Sequence, residues 1–113
     1  MEIINDKISI EELKRIAQDI FGNLVKAVVD IEKRIMVVGG ELHADEETLL
    51  IENGSEQKNL WGINLYPEIK NEDWIEFDSM INLRPSQENR SRGVDNSETQ
   101  KIIIEIVNSL IKK

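Results

Sequence analysis

The sequence predicts an α+β domain, in which an antiparallel sheet of about five strands forms a meander and an N-terminal and a C-terminal helix pack on one face. Two observations predict this class. Both ends of the chain carry amphipathic helix patterns with capping residues, whereas the stretch between them consists of short β-branched runs separated by turn residues. A length of 113 residues, 40% of them hydrophobic, suits a single domain spanning 1–113 with one core.

The first helix has clear boundary signals. Ser9 and Glu12 have the spacing of a capping box, and Gly22 is a typical helix stop. The apolar stripe between them comprises Ile10, Leu13, Ile16, Ala17 and Ile20. We therefore predict a helix from Ser9 to about Phe21.

The central part of the chain predicts the sheet. The five predicted strands are Val25–Ile31, Ile35–Leu42, Thr48–Glu52, Leu60–Tyr66 and Asp73–Arg84. The charged triplet Glu32-Lys33-Arg34 suits a hairpin between the first two. The third is ambiguous, because Asp45–Glu52 also fits a short helix that stops at Asn53-Gly54. We favour the strand, since three apolar residues follow one another there.

A second capped helix ends the chain. Ser97 and Gln100 have the capping-box spacing, and Lys112 and Lys113 supply the positive charge that a helix C-terminus favours. Its apolar residues are Ile102, Ile103, Ile104, Ile106, Val107, Leu110 and Ile111. So broad an apolar surface is expected to dock on the sheet, or partly on a second subunit in a homodimer.

The two faces of the sheet are expected to differ. Trp61, Ile63 and Leu65 alternate along one strand and should lie under the helices. The opposite face gathers polar residues and is expected to be solvated. Its members are Asn64, Asp78, Asn82 and Arg84.

Composition excludes several classes of function. A net charge of −8 argues against an extended nucleic-acid surface, and the chain has no cysteine for disulfides or thiolate metal sites. No apolar run approaches the roughly 20 residues that a membrane helix needs, and the N-terminus lacks a signal-peptide pattern. We expect a soluble, cytoplasmic protein without a membrane-spanning segment, a resident cofactor or a metal site.

An arginine-containing loop is the best candidate binding site. Arg84, Arg90 and Arg92 form a small cationic region on an acidic molecule, and arginine binds carboxylates and phosphates through two parallel hydrogen bonds. Asn64, Asn82 and Asn89 are expected to assist. We predict a small anionic ligand or a protein partner here. Alternatively the loop is structural, in which case Arg84→Ala would cost stability rather than affinity.

The only histidine supports a rival hypothesis. His43, with Asp45 or Asp78, has the residue types of a general-base site in a hydrolase. This hypothesis requires His43 to lie close to the arginine loop. A cation bound by the neighbouring carboxylates has less support, because the chain has neither a second histidine nor an EF-hand pattern. A third possibility is a homo-oligomeric structural or interaction protein.

Several motifs resemble those of a small prokaryotic family known only as a domain of unknown function. They are GGELHADEE, Gly54-Ser55, LWGIN and DSMINLRPSQENRSRG. The resemblance runs from about Ile8 to the final helix. It implies one compact bacterial or archaeal domain and supplies no catalytic residue, ligand or partner.

Overall fold

The computed structural model describes residues 1–112, and it has an α+β architecture with a five-stranded antiparallel sheet. The elements in chain order are β1 (Glu2–Ile4), β2 (Ile8–Ser9), α1 (Ile10–Ile20), β3 (Val25–Asp30), β4 (Ile35–Val38), α2 (His43–Glu52), β5 (Leu60–Leu65), β6 (Ile75–Glu76), α3 (Ser97–Leu110) and β7 (Ile111–Lys112). Short 3-10 turns lie at Gln57–Asn59, Glu72–Trp74, Met80–Asn82 and Pro85–Gln87. The predicted class and strand number are confirmed.

The strand order is β1-β4-β3-β5-β6, which departs from the predicted meander. The N-terminal residues supply an edge strand that the sequence did not predict, with Ile3 opposite Val37. The β3–β4 hairpin is confirmed, because the Asp30 carboxylate accepts from the backbone N–H groups of Glu32 and Lys33 and closes the turn. A separate parallel pair joins β2 to β7.

The predicted strand Thr48–Glu52 is wrong, because this segment lies in helix α2. The side chains that α2 buries are His43, Glu46 and Leu50, which follow one another at helical spacing. Two of the three are polar, so the apolar residues alone did not reveal the period. Asn53-Gly54 follows the helix end, as the alternative prediction required, and Gly54 adopts a positive φ of 98°.

The predicted strand Asp73–Arg84 is also largely wrong, because only Ile75 and Glu76 pair with β5. Side chains of the following residues replace the missing strand. The Asn82 carboxamide accepts from the Gly62 N–H at 2.9 Å and donates to the Gly62 carbonyl at 3.0 Å. Ser79 packs so closely on Gly62 that a Cβ there would lie 2.5 Å from the Ser79 side chain. The segment therefore leaves the strand pairing after Glu76 and is held to β5 by side chains.

The N-terminal and C-terminal helices, α1 and α3, were both predicted from the sequence. Ser9 caps α1 by accepting from the Glu12 N–H at 3.1 Å, as predicted. The cap of α3 is Asn96 rather than Ser97, since its side chain accepts from the N–H groups of Glu98 and Thr99. Helix α3 ends at Leu110, Lys112 lies in β7, and Lys113 lies outside the described residues.

Helices cover both faces of the sheet. Buried side chains of α1 and α3, such as Leu13 and Ile106, join Trp61, Ile63 and Leu65 in the larger apolar cluster, as predicted. On the other face, Leu50 of α2 packs in a second cluster. The other buried members of that cluster are Val28, Val37 and Leu60. The expectation of a solvated polar face is therefore wrong over this part of the sheet.

Candidate functional site

Four of the residues singled out from the sequence line one cavity of about 220 Å³ beside the start of α2. They are His43, Asn64, Asp78 and Arg92. The remaining lining residues are Lys26, Leu42, Ala44, Ser79, Met80 and Ile81. We call this space the α2 cavity. It is bounded by the first turn of α2, by the neighbouring strands β3 and β5, and by the segment that leaves the sheet after β6.

The strand pairing and the position of α2 explain this convergence. Lys26 of β3 lies directly opposite Asn64 of β5 in the antiparallel ladder. Helix α2 begins above these strands and places His43 so that its Nε2 lies 2.8 Å from the Ile63 carbonyl oxygen. A carbonyl can only accept a hydrogen bond, so Nε2 carries a proton and Nδ1 is the acceptor nitrogen of a neutral ring.

The surroundings of His43 favour the neutral imidazole. Burial lowers its pKa below the usual value, and the positive charge of Lys26 acts in the same direction. The Ile63 carbonyl, Asp78 and the Asn64 side chain oppose this shift without reversing it. His43 is therefore a hydrogen-bond acceptor at Nδ1 and a potential proton acceptor.

Three sources of positive charge meet at the α2 cavity. Lys26 and Arg92 line the cavity, and the start of α2 contributes its backbone N–H groups and the positive end of the helix dipole. The Lys26 ammonium lies 5.3 Å from the centre of the Phe21 ring, and its charge also acts on His43. Within residues 1–112, no side chain caps α2, since its N-cap residue is Leu42. Arg92 pairs with Asp78 through Nε at 2.7 Å, and both side chains of this pair remain about half exposed.

Asn64 leaves one polar atom without a partner. Its Nδ2 donates to the Glu76 carboxylate at 2.9 Å and to the Asp78 carbonyl at 3.4 Å. Its Oδ1 is buried and has no hydrogen-bond partner among the described residues. The residue is 8% exposed and lines the cavity, and its side chain lies close enough to His43 to raise the pKa of that imidazole.

The other predicted binding residues hold the loop together. The Arg84 guanidinium donates to the carbonyls of Gln57 and Leu60 and stacks 4.2 Å from the centre of the Trp61 ring. Asn82 bridges Gly62 as described above, and the Asn89 side chain donates to the Asn82 carbonyl at 2.8 Å. All three are buried, which indicates a structural role, and their role in ligand binding stays a prediction.

Arg90 and Asp45 lie elsewhere. Both are exposed and both lie outside the lining of the α2 cavity. Arg90 takes part in the loop through its backbone N–H, which donates to Asp95 at 2.8 Å. Of the two carboxylates proposed to assist His43, only Asp78 shares its cavity.

Sequence reasoning missed Lys26 and Glu46. Lys26 is the only cation in β3 and interrupts the apolar run from Val25 to Val29, and that interruption was an available signal. Glu46 is fully buried, and its Oε2 accepts from the Gly40 N–H at 3.0 Å. Burial raises the pKa of Glu46 to about 8, so the carboxyl is mostly protonated at neutral pH. Glu46 was missed because two of the three residues that α2 buries are polar, so the helical spacing of the buried positions was not visible in the apolar residues.

A larger groove of about 470 Å³ lies near the start of α1 and the loop that follows β5. It is lined mainly by apolar side chains such as Ile10, Ile69 and Trp74, with Lys14 and Lys70 at its sides. We place the candidate site in the α2 cavity because that is where buried polar groups and opposite charges converge.

A comparison with family models identifies the chain. The family described as Protein of unknown function (DUF5674) matches residues 2–110. The chain belongs to this family. The resemblance to a domain of unknown function is thus confirmed, and DUF5674 carries no assigned activity in its description. Comparisons with curated proteins and with solved structures found no match.

Two further findings concern the described part of this DUF5674 chain. None of the helices in residues 1–112 is long and apolar enough to cross a membrane. Over the same residues, no three histidine or carboxylate side chains are grouped in a way that would hold a metal ion.

Proposed function

We propose that this protein binds a small anion, a carboxylate or a phosphate group, in the α2 cavity. The observation that supports the proposal is the meeting of Lys26, Arg92 and the uncapped start of α2 at one cavity, in a chain whose net charge is −8. The kind of ligand is the one predicted from the arginine loop. The binding residues are different, because Lys26 and His43 join Asn64 and Arg92 while Arg84 and Arg90 do not.

Each group has a distinct part in binding. Arg92 offers a planar fork of donors, and its exposed pair with Asp78 is of a kind worth only about 0–1 kcal/mol, so a ligand anion can replace or share it. Lys26 supplies a compact charge from the sheet, and the first turn of α2 supplies backbone N–H groups. The cavity volume of about 220 Å³ lies below the roughly 300–1,000 Å³ of drug-sized sites, which favours a ligand of a few heavy atoms.

The experiment is a calorimetric titration of the purified protein with phosphate and with acetate at low ionic strength. We expect at least one of them to bind, and we expect Arg92→Gln to weaken that binding about tenfold through loss of a charge-assisted hydrogen bond. Arg90→Gln is the matched control, since it removes the same charge from the same loop but outside the cavity. Equal weakening by both variants, or no binding to the wild type, would overturn the proposal.

His43 supports a second candidate function, hydrolysis of a small phosphorylated or amide substrate. Its neutral imidazole shares the cavity with Asp78 and Arg92, so the proximity that this hypothesis required is supported. In that role Nδ1 would accept a proton from water while Arg92 holds the substrate anion. The test is turnover of phosphate ester and amide substrates. His43→Gln should abolish turnover and retain anion affinity, and a wild type without turnover would exclude this candidate for the substrates tried.

A further inference from the structure

We propose that the natural ligand of the α2 cavity carries a short apolar chain next to its anionic group. This inference rests on the proposed function and adds the class of ligand. It comes from the apolar residues that share the cavity with the charged ones, namely Leu42, Met80 and Ile81.

Two of these side chains are unusually exposed for their size. Leu42 is 55% exposed and Met80 is 62% exposed, whereas the sheet beneath them is closely packed. Single exposed apolar residues are common on protein surfaces and need no explanation. Here both line the same small cavity as Lys26 and Arg92, which places apolar surface within reach of any anion bound there.

The backbone holds both residues in fixed positions. Leu42 is the N-cap of α2, and its carbonyl accepts from the Asp45 N–H at 3.2 Å. Met80 opens a 3-10 turn whose N-cap, Ser79, donates its N–H to the Arg92 carbonyl at 2.9 Å. The segment that carries Met80 is thus tied directly to the segment that carries Arg92. The apolar and cationic groups are therefore pre-organised relative to one another, which lowers the entropic cost of binding.

The chemistry of the cavity selects against two simpler ligands. An inorganic anion would leave Leu42 and Met80 in water, and a purely apolar molecule would leave the charge of Lys26 without a carboxylate partner in the cavity. A small aliphatic acid satisfies both sets of groups. Its carboxylate faces the cations and the start of α2, and its chain covers Leu42 and Met80.

The experiment is a calorimetric titration with the straight-chain acids acetate, propionate, butyrate and valerate. We expect affinity for the wild type to rise about two- to fourfold with each added methylene until the chain leaves the cavity. Met80→Ser and Leu42→Ala should flatten this dependence, because each removes apolar surface from the cavity and therefore weakens valerate binding more than acetate binding. Both positions are exposed, so the variants are expected to fold. Ile51→Ser, at a 43% exposed position at the other end of α2, is the matched control and should keep the dependence.

The outcomes separate this inference from the proposed function. If acetate or phosphate binds and chain length has no effect, the inference fails and the proposed function stands. If no anion binds, both fail. The inference would also be overturned if affinity did not depend on chain length and the protein self-associated in a way that Met80→Ser abolishes. That result would assign these side chains to contact with a second copy.

Discussion

The buried carboxyl of Glu46 shows how one residue can couple a local contact to the stability of the fold. Its Oε2 accepts from Gly40, whereas Oε1 is buried and has no partner among the described residues. Glu46 approaches so closely that a Cβ on Gly40 would lie 2.7 Å from its Cγ. The contact fixes the Gly39-Gly40 turn against α2. Burial favours the neutral carboxyl, whereas the hydrogen bond from Gly40 favours the charged form and offsets burial only in part.

Glu46 predicts a specific pH dependence. Its pKa is about 8 in the folded protein and near 4.5 in the unfolded chain, so the folded state holds an extra proton between these values. The free energy of unfolding therefore falls as pH rises through this window, by roughly 2–3 kcal/mol between pH 5 and 7. Glu46→Gln removes this dependence. In urea unfolding experiments, the stability of the variant relative to the wild type should increase steadily from pH 5 to pH 8, and parallel curves would contradict the assignment.

Arg84 provides a second prediction at the scale of the residue. Arg84→Met removes the donors to the carbonyls of Gln57 and Leu60, and we expect a loss of about 2–4 kcal/mol in the free energy of unfolding. Arg90→Met removes the same charge from an exposed position, and we expect a change within about 0.5 kcal/mol. Chemical denaturation of both variants is the measurement. Similar stabilities would mean that Arg84 is free for a ligand, as the sequence suggested.

At the scale of the element, the start of α3 distinguishes the observed cap from the predicted one. Asn96→Ala should cost about 1 kcal/mol, because its side chain accepts from two N–H groups of the first turn. Ser97→Ala should have little effect, since Ser97 is already the first helical residue. Thermal unfolding of the two variants decides between them, and a larger loss from Ser97→Ala would restore the predicted capping box.

Some secondary-structure elements could be predicted from the sequence and others could not. The α1 boundaries and the β3–β4 hairpin were predictable, because their signals lie within a few residues of the structure that they form. The length of strand β6 was overestimated. The Asn82 side chain, 20 positions from Gly62 in the sequence, forms the hydrogen bonds to the Gly62 backbone that a neighbouring strand would otherwise form. No local pattern records such a contact.

At the scale of the whole molecule, two apolar clusters share a single sheet. Leu50 and Ile106 are fully buried in different clusters on opposite faces. We expect Leu50→Ala and Ile106→Ala each to cost about 2–5 kcal/mol and to shift one common unfolding transition. The measurement is calorimetric unfolding of each variant, compared with its unfolding followed by two spectroscopic probes. Separate transitions for the two variants would show that the predicted single domain unfolds in parts.

The packing of α3 bears on assembly. The buried stripe that docks on the sheet consists of Ile103, Ile106, Val107 and Leu110. Ile102 and Ile104 remain 36% exposed each, so most of the apolar surface of the helix is used within the domain. The homodimer suggested by the sequence stays a prediction.

The sequence by itself determined the α+β class, the first helix, the central hairpin and the choice of Arg92, Asn64 and His43 as candidate site residues. These depend on period, on capping residues and on residue chemistry, all of which are local. Only the tertiary structure decided that α2 is a helix, that Arg84 is internal and that Lys26 faces the cavity. Those outcomes depend on which partners a side chain meets across the sheet, and burial and hydrogen bonding with distant residues outweigh local propensity there.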